Sequence, residues 1–153
     1  MSSVTRNDPL SWGSLDIISN QVALDKFNRL YQRARLAQLV NRLVGRPQTL
    51  LSYEQALPQA GKTTLQDLGI QQIPIKTIVG SLHRDKDYDR QFRPLNAALR
   101  YRWINIHMLA ERSGWKPIRV YRIAGQHFVV DGHHRVSVAW HSGWQTIEAH
   151  VFE

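Results

Sequence analysis

Asp131-Gly132-His133-His134-Arg135 is the stretch whose residue types and spacing best suit chemistry. A run of strand formers, Gln126 to Val130, leads into it. A helix-compatible run, Val136 to His141, leaves it and is closed by Ser142-Gly143. Glycine at such a junction lets the backbone approach a ligand closely. The first turn of the helix carries unpaired N–H groups and a partial positive charge, which suit phosphate. Arg135 can add a bidentate guanidinium. The expected phosphate-binding set is therefore Asp131, Gly132, His133, His134 and Arg135, with Asp131 fixing the turn or holding a magnesium-bound water. A plainer reading stands beside it: Asp131 caps the helix, Gly132 makes the turn and Arg135 is solvated. His133 and His134 are the catalytic candidates, because a neutral imidazole donates a hydrogen bond or exchanges a proton near neutral pH.

Asp85, Asp87 and Asp89 alternate like the opening of a calcium loop. Arg90 and Asn96 stand where that loop needs glycine and a bidentate glutamate, so an EF-hand is excluded. Arg84, Lys86 and Arg90 interleave with the aspartates, which reads as a solvated, charge-balanced loop. Asp85 and Asp87 are the candidates for magnesium if a nucleotide binds, since that ion needs only one or two carboxylates beside phosphate oxygens. No other metal site is expected, for no histidine pair has the spacing of a zinc-binding helix. Gly61-Lys62-Thr63 lacks the leading glycine of a P-loop, Ala56 being in its place. Four of five tryptophans fall in the second half. Trp103 and Trp140 read as core anchors. Alternatively Trp103, Trp115, Trp140 and Trp144, interleaved with Arg100, Arg102 and Arg112, form a stacking platform for a base.

The 153 residues carry a net charge of +8 and no cysteine. The charge favours polyanionic partners, nucleotide or nucleic acid among them. The missing cysteines exclude disulfides, thiolate metal sites and cysteine nucleophiles. Met1 to Trp12 hold no apolar leader, and no run is long enough to span a bilayer, so a cytoplasmic chain without membrane contact is expected. Oligomeric state is not legible.

Residues 1–13 read as a mobile lead-in, and Ser14 as the cap of a helix to about Val44, ended by Gly45 and Pro47. Phe27, Leu30, Tyr31, Ala34, Ala37 and Val44 are its expected buried positions. Arg29 and Arg33 share another face, either solvated or in contact with an acidic partner. A short helix is expected over Ser52 to Ala60 and a connector over Thr64 to Gly69. Ile73 to Val79 reads as a strand, Leu82 to about Pro94 as a polar loop, and Leu95 to Arg112 as a helix. A hairpin turns at Ala124-Gly125 between Ile118–Ile123 and His127–Val130. A helix over 134–142 and a strand over Thr146–Val151 finish the chain. The order gives an α+β class: a helical segment at 1–69 and a mixed domain at 70–153.

This second half resembles the ParB/sulfiredoxin-like domain. The matching features are the Ile73-Pro74-Ile75 strand, the amphipathic helix closing on glycine, and Gly114-Trp115-Lys116-Pro117-Ile118-Arg119-Val120. That last segment is similar to the family's G-x-x-x-P-I-x-V. The hairpin leading into Asp131–Arg135 completes the order. ParB proteins have G-E-R-R at the motif, sulfiredoxins G-C-H-R, and the free serine kinases of this fold D-G-H-x-R, which is closest to this chain. The resemblance implies a nucleotide or phosphate ligand, ATP, ADP or CTP, with magnesium allowed. It leaves open whether phosphoryl transfer or hydrolysis follows. It also implies that Arg84 could face the motif as a second phosphate clamp. A ParB-like DNA-binding or regulatory protein is the alternative. ParB proteins continue into a helix-turn-helix that reads DNA, and only residues 136–153 follow Arg135, which removes the main warrant for sequence-specific DNA binding. Without cysteine the chain cannot do sulfiredoxin chemistry.

Overall fold

A computed structural model describes residues 9–57 and 64–153. The expected lead-in over residues 1–8 lies outside them. Helix α1 spans Pro9–Val44, so it starts earlier than Ser14. Proline has no N–H to leave unpaired, and its fixed φ suits a first turn. Ala23, Phe27, Leu30 and Ala34 form its buried face. Val44, expected on that face, is exposed, because no residue of α1 beyond Ala34 is buried. The helix outruns the body it packs on.

Strand β1 (Leu51–Ser52) and helix α2 (Tyr53–Ala56) follow. The helix expected to run to Ala60 stops early. Leu57 is extended, as a residue before proline must be. The remainder of that expected helix lies outside the described residues. Strand β2 (Asp67–Pro74) begins inside the expected connector. A bulge between Asp67 and Ile70 and the positive φ of Gly69 hid its alternation.

The single strand expected over Ile73–Val79 is two strands. Pro74 ends β2, a 3-10 turn covers Ile75–Thr77, and β3 (Ile78–Ser81) continues elsewhere. Proline cannot donate to a ladder. Thr77 Oγ1 donates to Pro74 O at 2.7 Å and pins the turn. The sheet order is β1-β3-β5-β4-β6-β2. Four strand spacings separate β2 from β3, about 19 Å in a flat sheet. The chain from Pro74 to Ile78 reaches at most about 13 Å. The sheet must therefore curl until its distant strands approach, and the core lies in the curl.

Asn96 caps a 3-10 turn over Ala97–Leu99 that leads into α3 (Arg100–Arg112). Strands β4 (Ile118–Ile123) and β5 (Gln126–Asp131) form the hairpin. Ala124 and Gly125 both have positive φ, the signature of a two-residue type I′ turn. Helix α4 covers His133–His141 and β6 covers Thr146–Phe152. The architecture is α+β with a helical N-terminal part. Phe27 of α1 and Leu50 share one core with Ile118, Val136 and Val151, so both sequence segments contribute to it.

Trp103 anchors that core at 0% exposure, its ring edge-on to Phe27. Its Nε1 donates to Ser137 Oγ at 2.9 Å, and Ser137 Oγ donates to Phe92 O at 2.7 Å. The loop expected to be polar and solvated is partly core. Tyr88 and Phe92 are fully buried in it. Asp89, 3% exposed, accepts from the amides of Gln91 and Arg93 and from Arg93 Nε at 2.6 Å. A buried carboxylate is tolerated when bonded in this way.

Candidate functional site

Strands β3 and β5 run parallel, with Ser81 beside Val129. Their carboxyl ends therefore open on one edge, where α/β sheets form ligand crevices. Two segments meet there: Ser81–Tyr88 after β3 and Asp131–Arg135 after β5.

Gly132 is the N-cap of α4, at φ 105. A Cβ built on it would lie 2.5 Å from Ile118 Cγ2 and 2.9 Å from Ile118 Cβ. The glycine is thus required by packing as well as by backbone angle. No side chain caps α4, and its first turn holds no acidic residue. The first-turn amides point outward from an uncapped helix end, which is an anion-seeking geometry.

Asp131 neither caps nor turns inward. Its carboxylate accepts from Arg135 Nη2 at 2.6 Å. Arg135 Nη1 donates to Lys116 O at 2.7 Å and Pro117 O at 3.0 Å. The expectation of a solvated Arg135 is corrected: its side chain is only 15% exposed. Its guanidinium ties the entry of β4 to the start of α4.

His133 is buried, at 4% exposure. Its Nε2 meets Ser81 Oγ at 2.7 Å, while Ser81 Oγ accepts from the Arg84 amide at 2.9 Å. Ser81 Oγ donates to Nε2 when the ring proton is on Nδ1 and accepts from it in the other tautomer. His134 Nδ1 meets Tyr88 OH at 2.8 Å. When the phenol donates to Nδ1, His134 carries its own proton on Nε2; in the other tautomer Nδ1–H donates to the phenol oxygen. That Nε2 is buried and has no protein partner. Burial pushes the Tyr88 hydroxyl up, so it stays protonated.

Both imidazoles are held neutral. Burial, then the Arg84 guanidinium, push His133 down to about 4. Burial, then Arg84 and Arg102, push His134 down to about 4, with Arg135 adding to the effect. His134 therefore feels the positive charge of three guanidinium groups.

Arg84 reaches the motif through its amide, which bonds Ser81 Oγ, the partner of His133. Arg84 Nε also donates to Asp87 Oδ2 at 2.7 Å. Asp85 uses its backbone carbonyl to accept from the Leu50 amide. Among the described residues no three histidine, aspartate or glutamate side chains gather as metal ligands. Ser81 and Tyr88 have no place in the sequence reading, and Arg102 enters it only beside the tryptophans. Only Ser81 carried a signal, as the residue closing a strand before a polar loop.

Arg135 also lines a cavity of about 620 Å³ with Ile106, Leu109, Trp115 and Lys116. Trp115 stacks on Trp144 with ring centroids 5.0 Å apart. Trp140 packs against Phe92 instead. Arg29 and Arg33 are exposed on α1.

No protein-family model and no curated protein matches the chain. Among solved structures it is similar to the crystal structure of sulfiredoxin from Arabidopsis thaliana. The two are 20% identical; the match covers 54% of this chain and 82% of that chain, with a TM-score of 0.39. In its own geometry the chain is an α+β protein with a helical N-terminal part and a curled mixed sheet. No helix among the described residues is long and apolar enough to cross a membrane.

Proposed function

We propose that this chain is a ParB/sulfiredoxin-like protein that binds the phosphate of a nucleotide, ATP, ADP or CTP, at the N-terminus of α4. The observation that carries the reading is His134. It is a neutral imidazole with an unpartnered Nε2, beside an uncapped helix end, in the field of three arginines. The D-G-H-x-R pattern of Asp131–Arg135 supports the same reading. The α4 amides and the His134 Nε2–H would donate to phosphate oxygens. Arg84 would supply charge by leaving Asp87 for the ligand, and Asp87 with Asp85 would then be free for magnesium. Arg135 braces the loop rather than clamping the ligand. With both imidazoles near 4, neither is poised to exchange a proton at neutral pH, so the reading is one of binding and assigns no reaction step.

Titration calorimetry with each nucleotide, with and without magnesium, tests it. Hydrogen bonds to a charged group contribute about 1.5–3 kcal/mol, so Arg84→Ala should weaken binding roughly 10- to 100-fold. His134→Phe should weaken it by a smaller factor. Millimolar nucleotide giving no heat, or unchanged affinity in both variants, refutes the assignment.

A further inference from the structure

The outer side of α1 has no partner. Leu15, Ile18, Val22, Leu36, Val40 and Leu43 are each more than half exposed, and Leu43 reaches 89%. At about 100° per residue they form one stripe, roughly 130° around the helix from the buried Ala23, Phe27, Leu30 and Ala34. A monomer rarely exposes so long an apolar line.

The stripe is a palindrome. From Leu15 the steps are three then four, to Ile18 and Val22; from Leu36 they are four then three, to Val40 and Leu43. Positions 15 and 43, 18 and 40, and 22 and 36 are each equidistant from Arg29. So are Asp25 and Arg33, which lie on the same stripe and are exposed. We propose that α1 pairs with α1 of a second copy, antiparallel, about a two-fold axis through Arg29. Every apolar side chain then meets an apolar side chain, and Asp25 meets Arg33 of the partner subunit on both sides of the axis. This self-complementarity is what a two-fold interface requires. The seam from Leu15 to Leu43 is about 42 Å long at 1.5 Å per residue. Six large apolar side chains, flanked by the exposed Leu39, are of the size to supply most of the roughly 800 Å² per copy that a standard interface buries. The one mismatch is Arg29 facing Arg29 of the partner subunit, with Asp25 one turn away to offset it.

Sedimentation velocity of the full chain at micromolar concentration should give twice the 17.7 kDa monomer mass. Leu36→Glu/Leu43→Glu, both on the outer face, should be folded and monomeric. Asp25→Arg and Arg33→Asp should each dissociate at least tenfold more readily alone, and should recover when the two variants are mixed, because the mixed dimer restores both ion pairs. The absence of cysteine makes orientation testable. Arg29→Cys should cross-link to itself on mild oxidation. Leu15→Cys should cross-link with Leu43→Cys and not with itself. A monomer at every concentration overturns the proposal. Self-cross-linking of Leu15→Cys, or no recovery in the mixture, overturns the antiparallel register.

Discussion

Replacing Gly132 by alanine separates two reasons for a glycine at that point. A residue kept only for close ligand approach would cost affinity when changed, with stability intact. The structure puts two physical penalties on the change. The first is backbone: φ 105 is a conformation that costs a side-chain-bearing residue about 1–3 kcal/mol. The second is overlap: the new methyl would sit 2.5 Å from Ile118 Cγ2. Ile118 is fully buried on β4 and cannot withdraw without moving the core, which adds about 1–3 kcal/mol. Gly132→Ala should therefore lose about 2–6 kcal/mol in urea denaturation. For a chain of this size that is a drop in Tm of roughly 5–20 °C. Ile118→Ala alone should cost about 2–5 kcal/mol by leaving a cavity. The double variant should be less destabilised than the sum, because removing Cγ2 relieves the closest overlap, while the contact with Ile118 Cβ and the backbone penalty remain. A single variant within about 0.5 kcal/mol of the native chain would refute the packing argument, and strict additivity would refute the contact with Ile118.

Acid should destabilise the fold through the buried histidines. His133 falls from about 6.5 unfolded to about 4 folded, so its contribution is complete above pH 6.5 and is lost as pH drops toward 4. Between pH 7 and pH 5 the loss from this residue is about 2 kcal/mol, and in His133→Asn the difference between the two pH values should shrink by that amount in denaturant melts. Ser137→Ala removes the acceptor of Trp103 Nε1 and the donor to Phe92 O, both buried, and should cost about 1–3 kcal/mol; restoration to native stability by no more than a methyl would sink that reading.

The elements whose signal is short-range were legible. The β4–β5 hairpin, α3 and β6 rest on alternation, helical spacing and turn residues within a dozen positions of one another. The division of Ile73–Val79 was not legible, because what separates β2 from β3 is the identity of their partners, β6 and β5, far along the chain. Tyr88 and Phe92 hid inside a run of charges. Their burial depends on Asp89 organising the loop, which composition cannot express. The motif at Asp131–Arg135 was found, but not the division of labour within it. Whether Arg135 points to a ligand or to Lys116 and Pro117 is decided by tertiary placement of the β4 entry. The second face of α1 reads in sequence as solvated or in contact with an acidic partner, because Arg29 and Arg33 interrupt the apolar residues flanking them.

The pairing of β2 with β6 has a consequence during synthesis. Asp67 waits for Phe152, and at a ribosomal pace of about 5–20 residues per second the wait is roughly 4 to 17 s. Over that interval the strand that will border the finished sheet offers an open row of amides and carbonyls with Leu68, Ile70 and Ile73 beside them. The nascent chain is thus most vulnerable to cross-chain association, and most in need of a holding chaperone, while its central strands are still being made.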